Sequence, residues 1–134
     1  MILYHFTAKR FLRSILSEGL TRGVMVKTFN PPSFIFHKQW LTKKKEFDQG
    51  WSVGTGILPY KRNEIRLTLE IPLNKIENVK PWTQMKFLVP EVANDLEASD
   101  LADPENWMIY QGEIKPEWII EIKEKGEVEE LVRN

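Results

Sequence analysis

ILYHFTAKRFLRSILSEGL, residues 2–20, is the stretch on which the reading of the fold turns. Residues 2–6 are apolar and aromatic and open on a β-branched isoleucine, which suits a buried strand. Thr7 can cap the next element, since its hydroxyl can accept a hydrogen bond from a free amide of a first helical turn. Phe11, Leu12, Ile15, Leu16 and Leu20 recur at helical spacing, and Gly19 offers a left-handed stop. A strand, a tight join and an amphipathic helix are expected. His5 is the polar residue out of place in that strand.

Outward from this unit, residues 21–33 hold Gly23, Asn30, Pro31 and Pro32 and read as a connection with a short strand at residues 24–26. Residues 33–42 read as one aromatic-rich strand, in which Phe34, Phe36 and Trp40 are candidates for a shared face. Lys43, Lys44 and Lys45 close it, either as a solvated turn or as a phosphate-facing rim. In residues 46–64, Gly50, Gly54, Gly56 and Pro59 argue against a long regular element. Trp51 and Tyr60 lie there, and a loop either buries such rings or uses them on a ligand. The Gly54-x-Gly56 pair lacks the third glycine of a dinucleotide fingerprint.

Residues 65–71 give the clearest alternation. Ile65, Leu67, Leu69 and Ile71 face one way, Arg66, Thr68 and Glu70 the other, and Pro72 ends the strand. Residues 73–81 are a short excursion. Residues 90–101 read as a helix, with Pro90 and Glu91 in its first turn and Val92, Leu96 and Leu101 as its apolar stripe. Residues 107–114 read as a strand. A final strand follows Pro116, with Trp118, Ile120 and Ile122 on one face and a charged tail from about residue 124. The order predicts a single α+β domain over residues 1–134, with a largely antiparallel or mixed sheet and two main helices.

The composition narrows the function classes. Hydrophobic residues make up 42% and charged residues 28% of 134, as in ordinary globular domains. No apolar run is long enough to cross a bilayer, and the start lacks the pattern of a secretory signal, so no membrane partner and a cytoplasmic location are expected. The absence of cysteine excludes disulfides, and two histidines argue against a dedicated zinc site. Residues 1–66 carry 12 Lys/Arg against 4 Asp/Glu, and residues 67–134 carry 7 against 15. That asymmetry either attracts the phosphates of a nucleotide, DNA or RNA, or is neutralised in a mixed surface.

The residues that can carry chemistry are few. His5 stands near the start, and Gln111-Gly112-Glu113 near the end. In an extended strand, Gln111 and Glu113 project together, and Gly112 leaves the other face bare for close approach. An amide and a carboxylate on one face suit a polar substrate that develops positive charge. Arg66 has two readings, a cross-strand ion pair or a phosphate contact.

The opening LYHFT with its following SILSEGL resembles the first β–α unit of the ADP-ribosyltransferase fold. It is similar to the opening of DNA-modifying bacterial ADP-ribosyltransferase toxins and, more loosely, to RNA 2′-phosphotransferases. The acidic residue before Ile114-x-Pro116 and the final strand resemble the same families, and the Gln111-x-Glu113 spacing is similar to the catalytic motif of some bacterial transferases. The resemblance covers the first 20 residues and, less closely, the last 30. It implies a split sheet with NAD as substrate and a macromolecular acceptor, nucleic acid slightly favoured. A non-catalytic module of the same fold, binding nucleic acid or a protein, is the alternative.

By this resemblance, His5 matches the first-strand histidine that bonds the ribose next to adenine, with Thr7 as a helper. Glu113 matches the late-strand glutamate that stabilises an oxocarbenium-like transition state, and Gln111 the residue that orients the acceptor. Arg66 is a pyrophosphate candidate. Trp40, Trp51 and Tyr60 compete to stack on nicotinamide. The middle of the chain departs from the pattern: it has neither a Ser-Thr-Ser segment nor a matching Tyr motif.

Overall fold

The computed structural model describes residues 1–47, 63–98 and 102–126. Eight strands are found among them: β1 (Ile2–Thr7), β2 (Val24–Phe29), β3 (Pro32–Phe36), β4 (Lys38–Thr42), β5 (Ile65–Glu70), β6 (Val79–Pro81), β7 (Trp107–Gln111) and β8 (Ile119–Glu124). Three α-helices accompany them: α1 (Leu12–Glu18), α2 (Trp82–Met85) and α3 (Pro90–Glu97). Six strands form one antiparallel sheet in the order β6-β7-β4-β1-β5-β8, and β2 and β3 form a separate hairpin. The α+β class follows. α1 and α3, the two longest helices, occupy the two regions of helical periodicity.

The sheet is divided near its middle. β1 pairs with β5 at six consecutive positions, but with β4 only at Tyr4–Thr42. The strands that flank this seam are otherwise well paired, since β4 meets β7 at five positions. Register then sorts the side chains onto two faces, because alternate residues point to opposite sides. One face gathers Leu3, Leu41, Leu67, Leu69, Met108 and Tyr110 under α1. The other gathers Trp107 and Ile109 with Trp82 of α2, Val89 just before α3, Val92 of α3 and Met25 of the hairpin.

The opening stretch forms largely as its pattern predicts, with three local differences. Thr7 belongs to β1, lies opposite Ile65 and is buried, and no side-chain cap precedes the helix. A 3-10 turn at Lys9–Phe11 intervenes, so α1 starts only at Leu12. Leu16 is exposed while Ile15 and Leu20 are buried. Gly19 does stop the helix, at φ 84°. A Cβ there would stand 2.0 Å from the Ile114 carbonyl oxygen, so glycine permits the Leu20–Ile114 bridge as well as the turn.

Elsewhere the sequence reading needs correction. Residues 33–42 are two strands, broken at His37, whose φ is 60°. A left-handed non-glycine residue costs roughly 1–2 kcal/mol, and here the His37 carbonyl accepts the Gly112 N–H at 2.8 Å. The break separates Phe34 and Phe36 from Trp40. Trp40 packs instead with Trp82 and Trp107, ring centroids 5.2 and 6.0 Å away. The predicted polar face of β5 is buried at Arg66 and Thr68, because Tyr4, Phe47 and β8 cover it. A register shift between Thr68 and Leu69 sets Ile119 rather than Ile120 opposite Leu69, so Ile119 packs on the core and Ile120 is exposed, while Ile122 keeps its place opposite Leu67 and is exposed because β8 is the edge strand. Glu124 ends β8 opposite Ile65. α3 ends at Glu97, so its described part is shorter than the predicted helix, and Leu101 lies outside the described residues.

Candidate functional site

The seam between β1 and β4 brings polar groups to the middle of an apolar sheet. His5 Nδ1 lies 2.7 Å from the Trp40 carbonyl oxygen. A carbonyl only accepts, so Nδ1 carries the proton and, in the neutral ring, the lone pair is on Nε2. The imidazole thus supplies a donor to a β4 carbonyl where the strands have parted. The ring is half-buried, and no hydrogen bond to Nε2 is formed among the described residues. Burial lowers the pKa of His5 below its ordinary 6.5, and the bond to Trp40 opposes that shift only in part.

Thr7 shares the face of His5, since they stand opposite Ile65 and Leu67 on β5. Arg66 does not. It stands opposite Phe6 on the other face, with its guanidinium over the rings of Tyr4 and Phe47, each 5.6 Å from the centroid. It donates to the Glu121 carboxylate at 3.2 Å and to the Lys45 carbonyl at 3.0 Å. The cross-strand ion pair is therefore the reading the structure bears out for Arg66. Trp40 also turns away from His5. Its indole N–H donates to the Val24 carbonyl at 2.9 Å and fastens the hairpin to β4. Trp51 and Tyr60 lie outside the described residues.

Gln111 and Glu113 do not share one regular strand. β7 ends at Gln111, and Gly112 turns the chain at φ 130°. Gln111 pairs with Lys38 on the face of Trp40 and Ile109, opposite to that of His5. Glu113 is exposed, and its backbone is fixed on both sides. The Gly112 N–H donates to His37, and the Gly112 carbonyl accepts from Gln39 Nε2 at 2.9 Å. Beyond it, Ile114 exchanges both backbone hydrogen bonds with Leu20, at 2.8 and 3.0 Å. The result is a solvent-facing carboxylate on an immobilised backbone. It stands toward the end of the sheet where β1 and β4 diverge, because Lys38, the partner of Gln111, precedes Thr42 in an antiparallel strand.

Gln39 is the residue that sequence reasoning missed. It is 2% exposed. Its Oε1 accepts the Gly23 N–H at 2.9 Å while its Nε2 donates to Gly112, so one amide locks the hairpin root to the end of β7. The available signal was a lone amide inside an aromatic strand, because a buried amide is retained only with its hydrogen bonds satisfied.

Together these features define an α+β protein with a seamed antiparallel sheet, a histidine in the seam and a braced acidic turn. Comparison with family models, curated proteins and solved structures gives no match to this chain. Among the described residues, no cluster of His, Asp and Glu is suited to a metal ion, and no helix is long and apolar enough to cross a membrane.

Proposed function

We propose that the chain is an ADP-ribosyltransferase-like protein that takes NAD at the open end of the seam between β1 and β4. The observation that carries this reading is His5: a half-buried imidazole held by its Nδ1–H to Trp40, with an Nε2 lone pair that no described residue engages and that can accept from a hydroxyl. In this reading Nε2 accepts from the ribose next to adenine, and Thr7 lies beside it. Glu113 faces the nicotinamide ribose. As the glycosidic C–N bond breaks, its electron pair leaves with nicotinamide and positive charge develops on the ribose. A fixed carboxylate stabilises that charge without reorganising. An acceptor nucleophile then forms the new bond to the ribose carbon and gives its proton to solvent. The acceptor is a macromolecule, with nucleic acid favoured.

Arg66 and Trp40 have no place in this proposal, since each is engaged in holding the fold. Their loss from the site favours, as a second reading, a module of similar shape that binds without turnover.

The test is titration with NAD, followed by incubation with labelled NAD and candidate acceptors. NAD binding, with label transfer abolished in Glu113→Gln, is the expected result. Transfer at the parent rate by Glu113→Gln removes that carboxylate from the chemistry. Absence of NAD binding ends the proposal.

A further inference from the structure

The hairpin of β2 and β3 presents two unlike faces. Met25, fully buried, and Ile35 turn toward α3 and the tryptophan cluster. On the other face, Pro32, Phe34 and Phe36 alternate along β3, and Phe29 lies opposite Pro32. These are among the most exposed aromatic side chains described: Phe29 at 57%, Phe34 at 45% and Phe36 at 63%. The Phe34 and Phe36 rings lie 6.3 Å apart, tilted by 51°. Exposed phenylalanines gathered on one strand face call for a partner, and monomeric surfaces seldom leave such groups to water.

The surrounding charge selects that partner. From residue 19 to residue 45 there are six Lys/Arg and no Asp or Glu. Arg22 and Lys44 are ion-paired, to Glu18 and Asp103. Lys27 sits at the bulge of β2, exposed, and Lys38 stands two residues beyond Phe36. Neither of these is ion-paired among the described residues. A second copy of the hairpin would bring these cations against their like, so self-association through this face is disfavoured. A polyanion with flat apolar groups is complementary: its phosphates meet the lysines and its bases stack on the rings. Unpaired bases are needed, since in a duplex they are stacked on each other.

We infer that the outer face of the β2–β3 hairpin is a platform for single-stranded nucleic acid, with Phe29, Phe34 and Phe36 as stacking surfaces and Lys27 as a phosphate contact. Such binding stands without the transfer reading, since it needs no NAD. It also gives that reading a geometry: Phe36 is followed by His37, which is bonded to Gly112 beside Glu113. A strand lying on the platform is thereby led toward the braced carboxylate.

The test is fluorescence anisotropy with labelled oligothymidine and oligouridine, without NAD, from about 50 to about 200 mM salt. Binding that weakens with salt, that prefers single strands to duplex, and that falls about tenfold or more in Phe34→Ser/Phe36→Ser is expected. Lys27→Glu, which leaves the rings in place, weakens binding and flattens its salt dependence. The two oligomers decide between DNA and RNA. Parent-like binding by the ring variant at an unchanged melting temperature overturns the inference. So does equal affinity for duplex, or binding of an acidic apolar peptide with none of either oligomer. Should the ring variant melt early, unchanged binding by Lys27→Glu overturns it alone.

Discussion

β1 has two unlike sides. Toward β5 it is zipped at six positions, and the side chains on the α1 face are those of a dry core: Leu3, Leu67 and Leu69 are 2% exposed or less. Toward β4 it is joined at one position, and the next residue uses a side chain where a backbone amide would serve. The difference shows how one strand can serve stability on one edge and leave polar groups available on the other. A continuous ladder at β4 would satisfy the Trp40 carbonyl from the backbone. The parted ladder satisfies it with an imidazole, whose second ring nitrogen has no hydrogen bond among the described residues.

Breaking the zipped side should cost the most. Leu67 is fully buried between β1 and β8, and Leu67→Ala removes its contacts and leaves a cavity. A loss of about 2–5 kcal/mol is expected from denaturant unfolding. An effect well under 1 kcal/mol would mean that the two sides of β1 are not energetically distinct.

The brace around Glu113 ranks next. Gln39→Ala leaves the Gly23 N–H and the Gly112 carbonyl without their partner, at a cost of about 1–3 kcal/mol. It should also speed amide exchange at Gly112 and Gly23. Gln39→Glu keeps the acceptor for Gly23 but sets a carboxylate against the Gly112 carbonyl. It should therefore loosen the Gly112 end selectively. Gly19→Ala acts on the same brace from the far side, through the clash with the Ile114 carbonyl and the positive φ. Faster exchange at Leu20 and Ile114, with lower stability, is its expected signature.

The zipped side was legible in the sequence and the open side was not. Residues 2–7 and 65–70 carry a strong two-residue period or an unbroken apolar run, and such patterns report burial directly. The seam depends on where β4 begins, and β4 follows the positive φ of His37, a residue type that takes this conformation more often than most but far too rarely to mark a strand break in a sequence. α2 is four residues long, too short to show a helical period. The candidate site divides in the same way. His5 stood out because it interrupts an apolar strand. Trp40 and Arg66 were indistinguishable from ligand contacts until their partners across the sheet were known, since strand parity alone does not say which face a neighbouring loop or strand will cover. The hairpin platform was half visible: Phe34 and Phe36 were matched to a shared face, but their exposure depends on Met25 and Ile35 taking the inner side.

The smallest effect expected is the most specific to the seam. Burial keeps His5 neutral to lower pH in the folded chain than its ordinary 6.5. The unfolded chain therefore takes up this proton first as pH falls. Its contribution to stability is complete above about 6.5 and declines as pH drops toward the lowered folded value. Unfolding at pH 8 and at successive steps down to about pH 5 should show this loss, before most carboxylates titrate. Subtracting the same series for His5→Gln isolates the imidazole from His37 and from the acidic residues. An identical slope in the two proteins would mean that His5 titrates as in water and is not held in the seam. Nitrogen chemical shifts give the complementary check: a protonated Nδ1 and an unprotonated Nε2 in the neutral ring. The reverse tautomer would detach the imidazole from the Trp40 carbonyl and close the difference between the two sides of β1.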